Sequence, residues 1–299
     1  MEIFVSGLIN TETTAAVRGF PIEYYPIDYA FFGVDTAVSG VAFNVAKALQ
    51  ILGDQVRICA MTGRDFAAEH ICHSLKQLQI DTAYVCPLLR QTPSSVVLYD
   101  PAGRRQIYCD LKDIQETAYP FTPQMLQDVD LVVACNINFN RPLLAMAKAA
   151  GKRIATDVHV LSDVHDSYNR EFMEYADILF LSDEAIGQDY KPFLWELAHT
   201  YPAQILVLGR GSKGVAMYLR DQDRILEMPA VSVGTVVNTV GAGDALMSAF
   251  LHFYVKGCSP EAALRRALIF AAHKITVSGA SQGFVTEETV EHGFCSEMV

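Results

Sequence analysis

Short apolar runs alternate with amphipathic segments along the second half of the chain, from about Leu131 onward. The run at residues 130–136 predicts a buried strand, and the following RPLLAMAKAAG predicts a helix closed by Gly151. KRIATDV, ADILFLSD and QILVLG predict further strands. This alternation of strand and helix implies a parallel sheet with helices on both faces.

The first third and the last third continue the same α/β body. Residues 41–53 and 65–78 have the apolar spacing of helices, and VRICAM between them predicts a strand. After Gly214, GVAMYL and RILEMPAVSV predict short β-rich pieces, and two helices follow at about 242–256 and 260–274. Because no repeat, low-complexity tract or linker divides the chain, we expect a single domain over residues 1–299.

Two stretches interrupt this pattern. Residues 20–33 alternate aromatic and polar side chains, and residues 94–110 have two strand-like runs around an Asp-Pro-Ala-Gly turn. They predict a small sheet that stands off the main domain, within segments at about 11–33 and 84–113. Arg104 and Arg105 at its turn are expected to be solvated. The aromatic side chains are expected to pack the lid, and contact of one of them with a substrate stays open.

Composition and charge exclude several classes of protein. The chain has 299 residues, 51% hydrophobic and 19% charged, so it can bury a large core. A net charge of −11 without a basic run argues against a nucleic-acid partner. No apolar stretch approaches a membrane span, and the first residues do not resemble a signal peptide, so we expect a cytoplasmic protein without a membrane partner. The seven scattered cysteines predict reduced, mostly buried thiols.

The strongest candidate for chemistry is Asn-Thr-Val-Gly-Ala-Gly-Asp at residues 238–244, directly before an apolar helix. A glycine-rich turn at a helix start leaves backbone N–H groups free to bind an anion. Asp244, beside this anion hole, could take a proton from a substrate hydroxyl while the N–H groups stabilise a transferring phosphoryl group. A tight connection followed by an ordinary first-turn Asp is the alternative that these residues alone leave open.

Other polar residues follow the strand predicted at KRIATDV. His159, Asp163 and His165 have the residue types of a metal cluster, but polar side chains are ordinary in a loop, and we prefer that interpretation. Asp157 stands at the carboxyl end of the strand, where α/β sheets place ligands. A role near phosphate groups and a structural role both stay open for it.

Taken together, these motifs resemble the ribokinase-like (PfkB) family of carbohydrate kinases. The family signature D-T-x-G-A-G-D is matched by residues 238–244, and its G-G-x-x-x-N is similar to Ser-Gly-Val-Ala-Phe-Asn at 39–44. SGLINTE resembles the first strand of the family, GRGSKG at 209–214 its G-x-x-G segment on the nucleotide side, and SGASQG at 278–283 its adenine-pocket loop. Order and spacing agree over nearly the whole chain.

The resemblance implies a Rossmann-like three-layer α/β/α domain with a mainly parallel central sheet and a small β-sheet lid. It also implies transfer of the γ-phosphate of ATP, with Mg²⁺, to a hydroxymethyl group of a sugar or nucleoside. Asp244 would be the general base, and the backbone of Gly241, Ala242 and Gly243 the anion hole. A sensor that binds such a ligand without turnover is the alternative, and the intact Asp244 argues against it.

The resemblance also assigns binding residues. Short carboxylate and amide side chains suit vicinal diols. The implied substrate-binding residues are Asn10, Glu12, Gly40 and Asn44. The implied nucleotide-binding residues are Gly209, Gly211, Ser212, Gly214, Thr239, Gly279 and Ala280. The identity of the sugar or nucleoside stays open, because lid side chains decide it.

The chain departs from the family pattern at four places. Glu12 stands where Asp is usual, and Ser39 replaces the first Gly of its motif. Asn238 replaces an Asp that in many relatives helps to hold a monovalent cation, so we expect weak or no dependence on potassium. The N-x-x-E motif that organises Mg²⁺ through water falls near LSDE, where Glu184 is the first choice and Asp183 the second.

The lid also predicts an assembly. A small sheet with an uncovered face and free edges can pair with a copy of itself. We therefore expect a homodimer with EYYPIDYAFF at the contact. A monomer whose lid folds onto its own body is the alternative.

Overall fold

The computed structural model describes residues 1–102, 104–187 and 189–297. The strands are β1 (Glu2–Ser6), β2 (Asn10–Ala16), β3 (Val34–Ser39), β4 (Gln55–Met61), β5 (Asp81–Cys86), β6 (Ser94–Tyr99), β7 (Arg105–Asp110), β8 (Leu131–Ala134), β9 (Arg153–Val160), β10 (Ile178–Ser182), β11 (Ile205–Gly209), β12 (Val215–Leu219) and β13 (Arg224–Met228). The helices are α1 (Val41–Leu52), α2 (Phe66–Gln77), α3 (Arg141–Ala149), α4 (Arg170–Tyr175), α5 (Lys191–Thr200), α6 (Ala242–Val255), α7 (Pro260–Lys274) and α8 (Glu287–Glu297).

A nine-stranded sheet in the order β13-β12-β11-β10-β9-β8-β1-β4-β5 forms the centre of the molecule. Its neighbours run parallel from β11 to β5, and β12 and β13 are added antiparallel at one edge. The parallel strands place their carboxyl ends at one edge of the sheet, where ligands of α/β proteins bind. The prediction of a mainly parallel sheet is confirmed.

Alternate side chains of each central strand enter different cores. On β1, Ile3 and Val5 join a cluster with α1, α6 and α7, whereas Phe4 joins a second cluster with α3, α4 and α5. A strand buried on both faces reads as a continuous apolar run, which explains the pattern in the sequence. The helices thus cover both faces, and the three-layer architecture is confirmed.

Local sequence signals set the helix ends. The Asp65 side chain accepts from the amide of Ala68 at the start of α2, and Gly53 ends α1 in the left-handed region with φ +98°. Ser259 caps α7, whose bounds coincide with the predicted 260–274. In the described part of the chain, no helix is long and apolar enough to cross a bilayer. The cysteines form no disulfide there, but only Cys59 and Cys135 are buried, so the expectation of mostly buried thiols is wrong.

The small sheet has the order β3-β2-β6-β7. Its central pair, β2 and β6, is parallel, and the two outer pairs are antiparallel. The prediction of a small second sheet is confirmed, and β6 and β7 lie where residues 94–110 predicted them. Arg104 and Arg105 are exposed as expected, and Gly103 of the predicted turn lies outside the described residues.

The bounds of the lid strands need two corrections. Residues 20–33 form no strand and connect β2 to β3, because Pro21 and Pro26 lack the amides that a sheet ladder needs. Residues 84–86 end β5 at the edge of the large sheet, so they do not belong to the small one. The lid strands are the polar segments NTETTAA and VDTAVS on either side of the aromatic stretch, together with β6 and β7. Most aromatic side chains of that stretch are exposed, so the expectation that they pack the lid is wrong.

Candidate active site

The turn before α6 is shaped by Gly241. This residue caps α6 in the left-handed region with φ +79°, and a Cβ atom there would lie 2.2 Å from the carbonyl oxygen of Ala280. Both the backbone conformation and the space therefore require glycine. The contact also brings the loop with Gly279 and Ala280, predicted to bind nucleotide, directly against the turn.

The amides of this turn differ in whether they already have a hydrogen-bond acceptor in the protein. Ala242 donates its amide to the carbonyl of Thr239 at 3.1 Å, so this amide already has an acceptor and does not fit the anion hole expected at Gly241, Ala242 and Gly243. For the amides of Gly243 and Asp244, the described residues provide no acceptor. These N–H groups stand at the positive end of α6, where an anion is stabilised.

Asp244 lies buried in the first turn of α6. Its Oδ2 accepts a hydrogen bond of 2.7 Å from Nδ2 of Asn44, a residue of α1. Burial raises the pKa of Asp244 above its usual range, and the bond from Asn44 partly opposes this effect. A carboxylate that is held in place and has a raised pKa suits proton abstraction from a hydroxyl group.

The predicted substrate residues come from β2 and the start of α1, and Glu12 and Asn44 both lie near Asp244. Asn10 donates through Nδ2 to Oγ of Ser95 at 3.1 Å, and Oγ of Ser39 donates to Glu12 at 3.4 Å. The Oδ1 atoms of Asn10 and Asn44 are buried without a hydrogen-bond partner in the described structure. An unpaired buried acceptor costs about 1–3 kcal/mol, which a ligand hydroxyl would recover.

Gly40 links the lid to α1. It begins the helix with φ +100°, and a Cβ atom there would lie 2.5 Å from the carbonyl oxygen of Leu8. The close approach packs the start of α1 against the chain between β1 and β2. Burial raises the pKa of Glu12, and the nearby charge of Asp244 adds to this effect.

A cavity of about 330 Å³ lies between the lid and the loop at residues 278–282. Its lining includes the acidic residues Glu12 and Asp35 and the aromatic residues Phe32 and Tyr99. The described lining contains no Lys or Arg. The cavity therefore provides room for a further part of an acceptor and favours ligands that are neutral or positively charged.

The predicted nucleotide residues on the other side follow β11. Gly209 ends the strand, and Gly211 and Ser212 form a short 3₁₀ turn before β12. Gly214 has φ +92°, and a Cβ atom there would lie 2.1 Å from the carbonyl oxygen of Met228. These residues lie at the same carboxyl edge of the sheet as Asp157 of β9.

The acidic residues after β10 suit a water-mediated Mg²⁺ chemically, because carboxylate oxygens are the ligands that this ion prefers. Asp183 Oδ2 lies 4.0 Å from Nε of Arg210, whereas Glu184 is exposed and forms no ion pair in the described structure. Glu184 is thus the freer of the two candidates. Across the described ranges, no group of three or more side chains could hold a metal ion directly.

The loop after β9 contains hydrogen bonds that are ordinary for a polar loop. The amides of His159 and His165 donate to the carboxylates of Asp157 and Asp163 at 2.7 and 2.8 Å. Asp157 itself is buried, and its Oδ2 lies 4.0 Å from where a Cβ of Gly243 would stand. Of the two roles left open for Asp157, its position beside the anion-binding turn favours the one near phosphate groups.

Sequence reasoning missed Lys274. Its side chain is completely buried, and its Nζ lies 3.5 Å from the carbonyl oxygen of Asn238. Burial lowers the pKa of Lys274 to about 8, and the charges of Asp244 and Glu12 oppose this shift. The available signal was its spacing, because Lys274 follows Phe270 by four residues on the buried face of α7.

The start of α6 combines two amides without an acceptor in the described structure with a buried carboxylate, an arrangement that suits phosphoryl transfer to a hydroxyl group. The family model of the pfkB family carbohydrate kinases matches residues 2–287, so the chain belongs to this family. The prediction of an ATP-dependent carbohydrate or nucleoside kinase of this family is thereby confirmed, and the alternative of a non-catalytic sensor is not favoured.

The individual relatives agree with this assignment. A fructosamine kinase of Bacillus subtilis is 25% identical over 286 residues, which cover 94% of this chain and 97% of the relative. An acarbose 7(IV)-phosphotransferase of Actinoplanes sp. is 23% identical and covers 95% of both chains. The structure of a microbiome-derived acarbose kinase superposes with a TM-score of 0.87 at 24% identity, covering 97% of this chain and 98% of the other.

Proposed function

We propose that the protein transfers the γ-phosphate of ATP to a hydroxymethyl group of an unphosphorylated sugar, with Asp244 as general base. The observation that carries this proposal is the buried Asp244 carboxylate, held by Asn44 at 2.7 Å beside the amides that begin α6. Asn10, Glu12, Gly40 and Asn44 would bind the sugar. ATP would lie along the residues that follow β11 and the loop with Gly279 and Ala280.

In the proposed reaction, Asp244 accepts the proton of the acceptor hydroxyl as its oxygen attacks the γ-phosphorus. A new O–P bond forms, the bond to the bridging oxygen of the β-phosphate breaks, and ADP leaves. The amides of Gly243 and Asp244 stabilise the negative charge on the transferring group. When bound with ATP, Mg²⁺ supplies charge neutralisation on the phosphates, and Glu184 or Asp183 would orient its water ligands.

The charge of the pocket supports an acceptor without a phosphate group. Glu12 and Asp35 would repel a sugar phosphate, while the unpaired Oδ1 atoms of Asn10 and Asn44 accept from hydroxyl groups. The relatives include kinases named for fructosamine and acarbose, which support a sugar, and also nucleoside kinases, so the test covers both acceptor classes. An ADP-release screen with Mg·ATP over free sugars, amino sugars, sugar phosphates and nucleosides tests the proposal. Turnover confined to sugar phosphates or nucleosides would contradict the acceptor class.

As the pH is lowered, kcat should fall when Asp244 becomes protonated, so the acid limb of the pH profile of kcat should follow the pKa of Asp244. Because burial raises this pKa and the Asn44 hydrogen bond lowers it, Asn44→Ala should raise it further and move the acid limb of kcat to higher pH. Asn10→Ala is the matched control, because Asn10 bonds to Ser95 and not to Asp244. Rate profiles of both variants against pH decide the point, and an unmoved limb in Asn44→Ala contradicts the role of Asp244.

We also propose that two copies of the chain pair through their lids. The connection between β2 and β3 exposes large apolar side chains, among them Tyr24 at 87% and Phe31 at 83%. A segment with several large exposed apolar side chains is typical of an interaction surface. Since Phe32 also lines the cavity beside Glu12, a partner lid would cover the outer end of the acceptor pocket.

Light scattering at micromolar concentration should therefore give about twice the 33.0 kDa of one chain. The double variant Tyr24→Ser/Phe31→Ser should shift the mass toward that of one chain, because it removes apolar contact area. Phe66→Ser on α2 is the control, since Phe66 is 82% exposed outside the lid. A wild-type mass of one chain at all concentrations would reject the pairing.

A further inference from the structure

The last residue of α7 is a buried lysine. The other buried positions of this helix are apolar, from Ala263 to Ala272, and Lys274 follows them with no exposed side-chain surface. Burying an ammonium group without a strong partner costs several kcal/mol. A cost of this size at a position next to the candidate active site points to a function for the charge.

The ammonium does not belong to an ordinary ion pair. In the described structure no carboxylate oxygen lies within 4.0 Å of its Nζ. The group instead makes one long hydrogen bond of 3.5 Å to the carbonyl oxygen of Asn238. The carboxylates of Asp244 and Glu12 lie at longer range, where they still interact with its charge.

The hydrogen bond of Lys274 reaches Asn238, at the start of the turn proposed to bind the anion. The amides of Val237 and Asn238 both donate to the carbonyl of Ile275, the residue after Lys274, at 2.8 and 3.2 Å. The side chain of Asn238 in turn accepts from the amide of Val240 at 2.8 Å. The end of α7 therefore holds this segment through two amides and one carbonyl, three residues before Gly241.

We propose that Lys274 is a positioning residue that acts as a tethered monovalent cation beneath the turn at residues 238–241. The ammonium fixes the Asn238 carbonyl and thereby the direction of the amides that follow at Gly243 and Asp244. It also offsets the negative charge that Asp244, Glu12 and an incoming phosphate bring together. The inference rests on the proposed phosphoryl transfer.

The residues around Asn238 explain why a lysine side chain, and not a bound ion, supplies the positive charge here. Asn238 offers neutral oxygen atoms, and its Oδ1 is already used by Val240. Without a carboxylate at position 238, a mobile cation gains less electrostatic attraction there, whereas a lysine on the helix supplies its charge whatever the concentration of free cations. Wild-type turnover should therefore be equal in potassium, sodium and choline salts.

Removal and replacement of the ammonium tests the proposal. Lys274→Ala should lower kcat by about 10²-fold, in line with the loss of an anion-stabilising group, and leave the acceptor KM nearly unchanged. Ammonium or methylamine should restore part of the rate in a saturable way by entering the vacated space, and choline should be too large to do so. Lys256→Ala is the control, because this partly exposed lysine bonds to Glu287 at the other end of α6.

The outcomes separate this inference from the proposed function. Wild-type protein without kinase activity on any sugar would contradict the proposed function itself. An active wild type with an unaffected Lys274→Ala, or with a loss that no small cation restores, overturns the role of Lys274. If Lys274→Ala fails to fold, Lys274→Met keeps the volume and should still lose turnover. Saturable activation of the wild type by potassium also overturns the inference, because it would show that a mobile cation fills this role.

Discussion

Asp244→Asn is expected to lower kcat by roughly two to four orders of magnitude, the usual scale for the loss of a general base. The substitution keeps the shape of the side chain and leaves an oxygen that can still accept from Asn44, so fold and ATP binding should be retained. What it removes is the ability to accept a proton from the acceptor hydroxyl. Steady-state kinetics on the sugar found by the ADP-release screen measures the effect.

The control for this substitution removes a similar charge at another helix start. Glu261 lies in the first turn of α7 and bonds to Arg224 at 2.7 Å. Glu261→Gln should change kcat little, because its carboxylate is not part of the proposed site. Turnover close to wild type in Asp244→Asn, with the same sugar, would contradict the assignment of the base.

The sequence predicts best the helices that bury one apolar stripe and the strands that are buried on both faces of the sheet. Helices α1 and α7 follow the predicted 41–53 and 260–274 closely, because apolar spacing and end signals at Gly53 and Ser259 agree. The lid strand β2 was not recognised in NTETTAA, because no side chain after Asn10 in this strand is fully buried. Without a buried face, a strand lacks the alternation that reveals it.

In the candidate site, too, the features that could be predicted are those with a local sequence pattern. The glycines and Asp244 stand next to each other in the chain, so their motif could be found from spacing. The bond between Asn44 and Asp244 joins residues 200 positions apart, and the family resemblance assigns both residues to the site without predicting a contact between them. Spacing along α7 places Lys274 on the buried face of the helix, but its hydrogen bond to Asn238 depends on how the end of α7 packs against the turn.

Gly241→Ala should have the second of the two largest effects, with kcat lowered by about 10²-fold or more. A side chain in the left-handed region costs about 1–2 kcal/mol, and the new Cβ would stand 2.2 Å from the Ala280 carbonyl oxygen. Because that neighbour is backbone, either the turn or the loop at residues 278–283 must move. A displacement of the amides by an ångström or less is enough for a loss of this size.

Gly257→Ala separates the steric effect from backbone strain. Gly257 follows α6 at its other end with φ +101°, but a Cβ atom there would meet nothing within 4 Å. Both variants should lose some stability in thermal unfolding, since both force a side chain into the left-handed region. Only Gly241→Ala should also lose turnover and weaken ATP binding, because only its Cβ displaces the two loops proposed to hold the nucleotide. Equal kcat values in the two variants would show that the turn at Gly241 does not position the transferred phosphate.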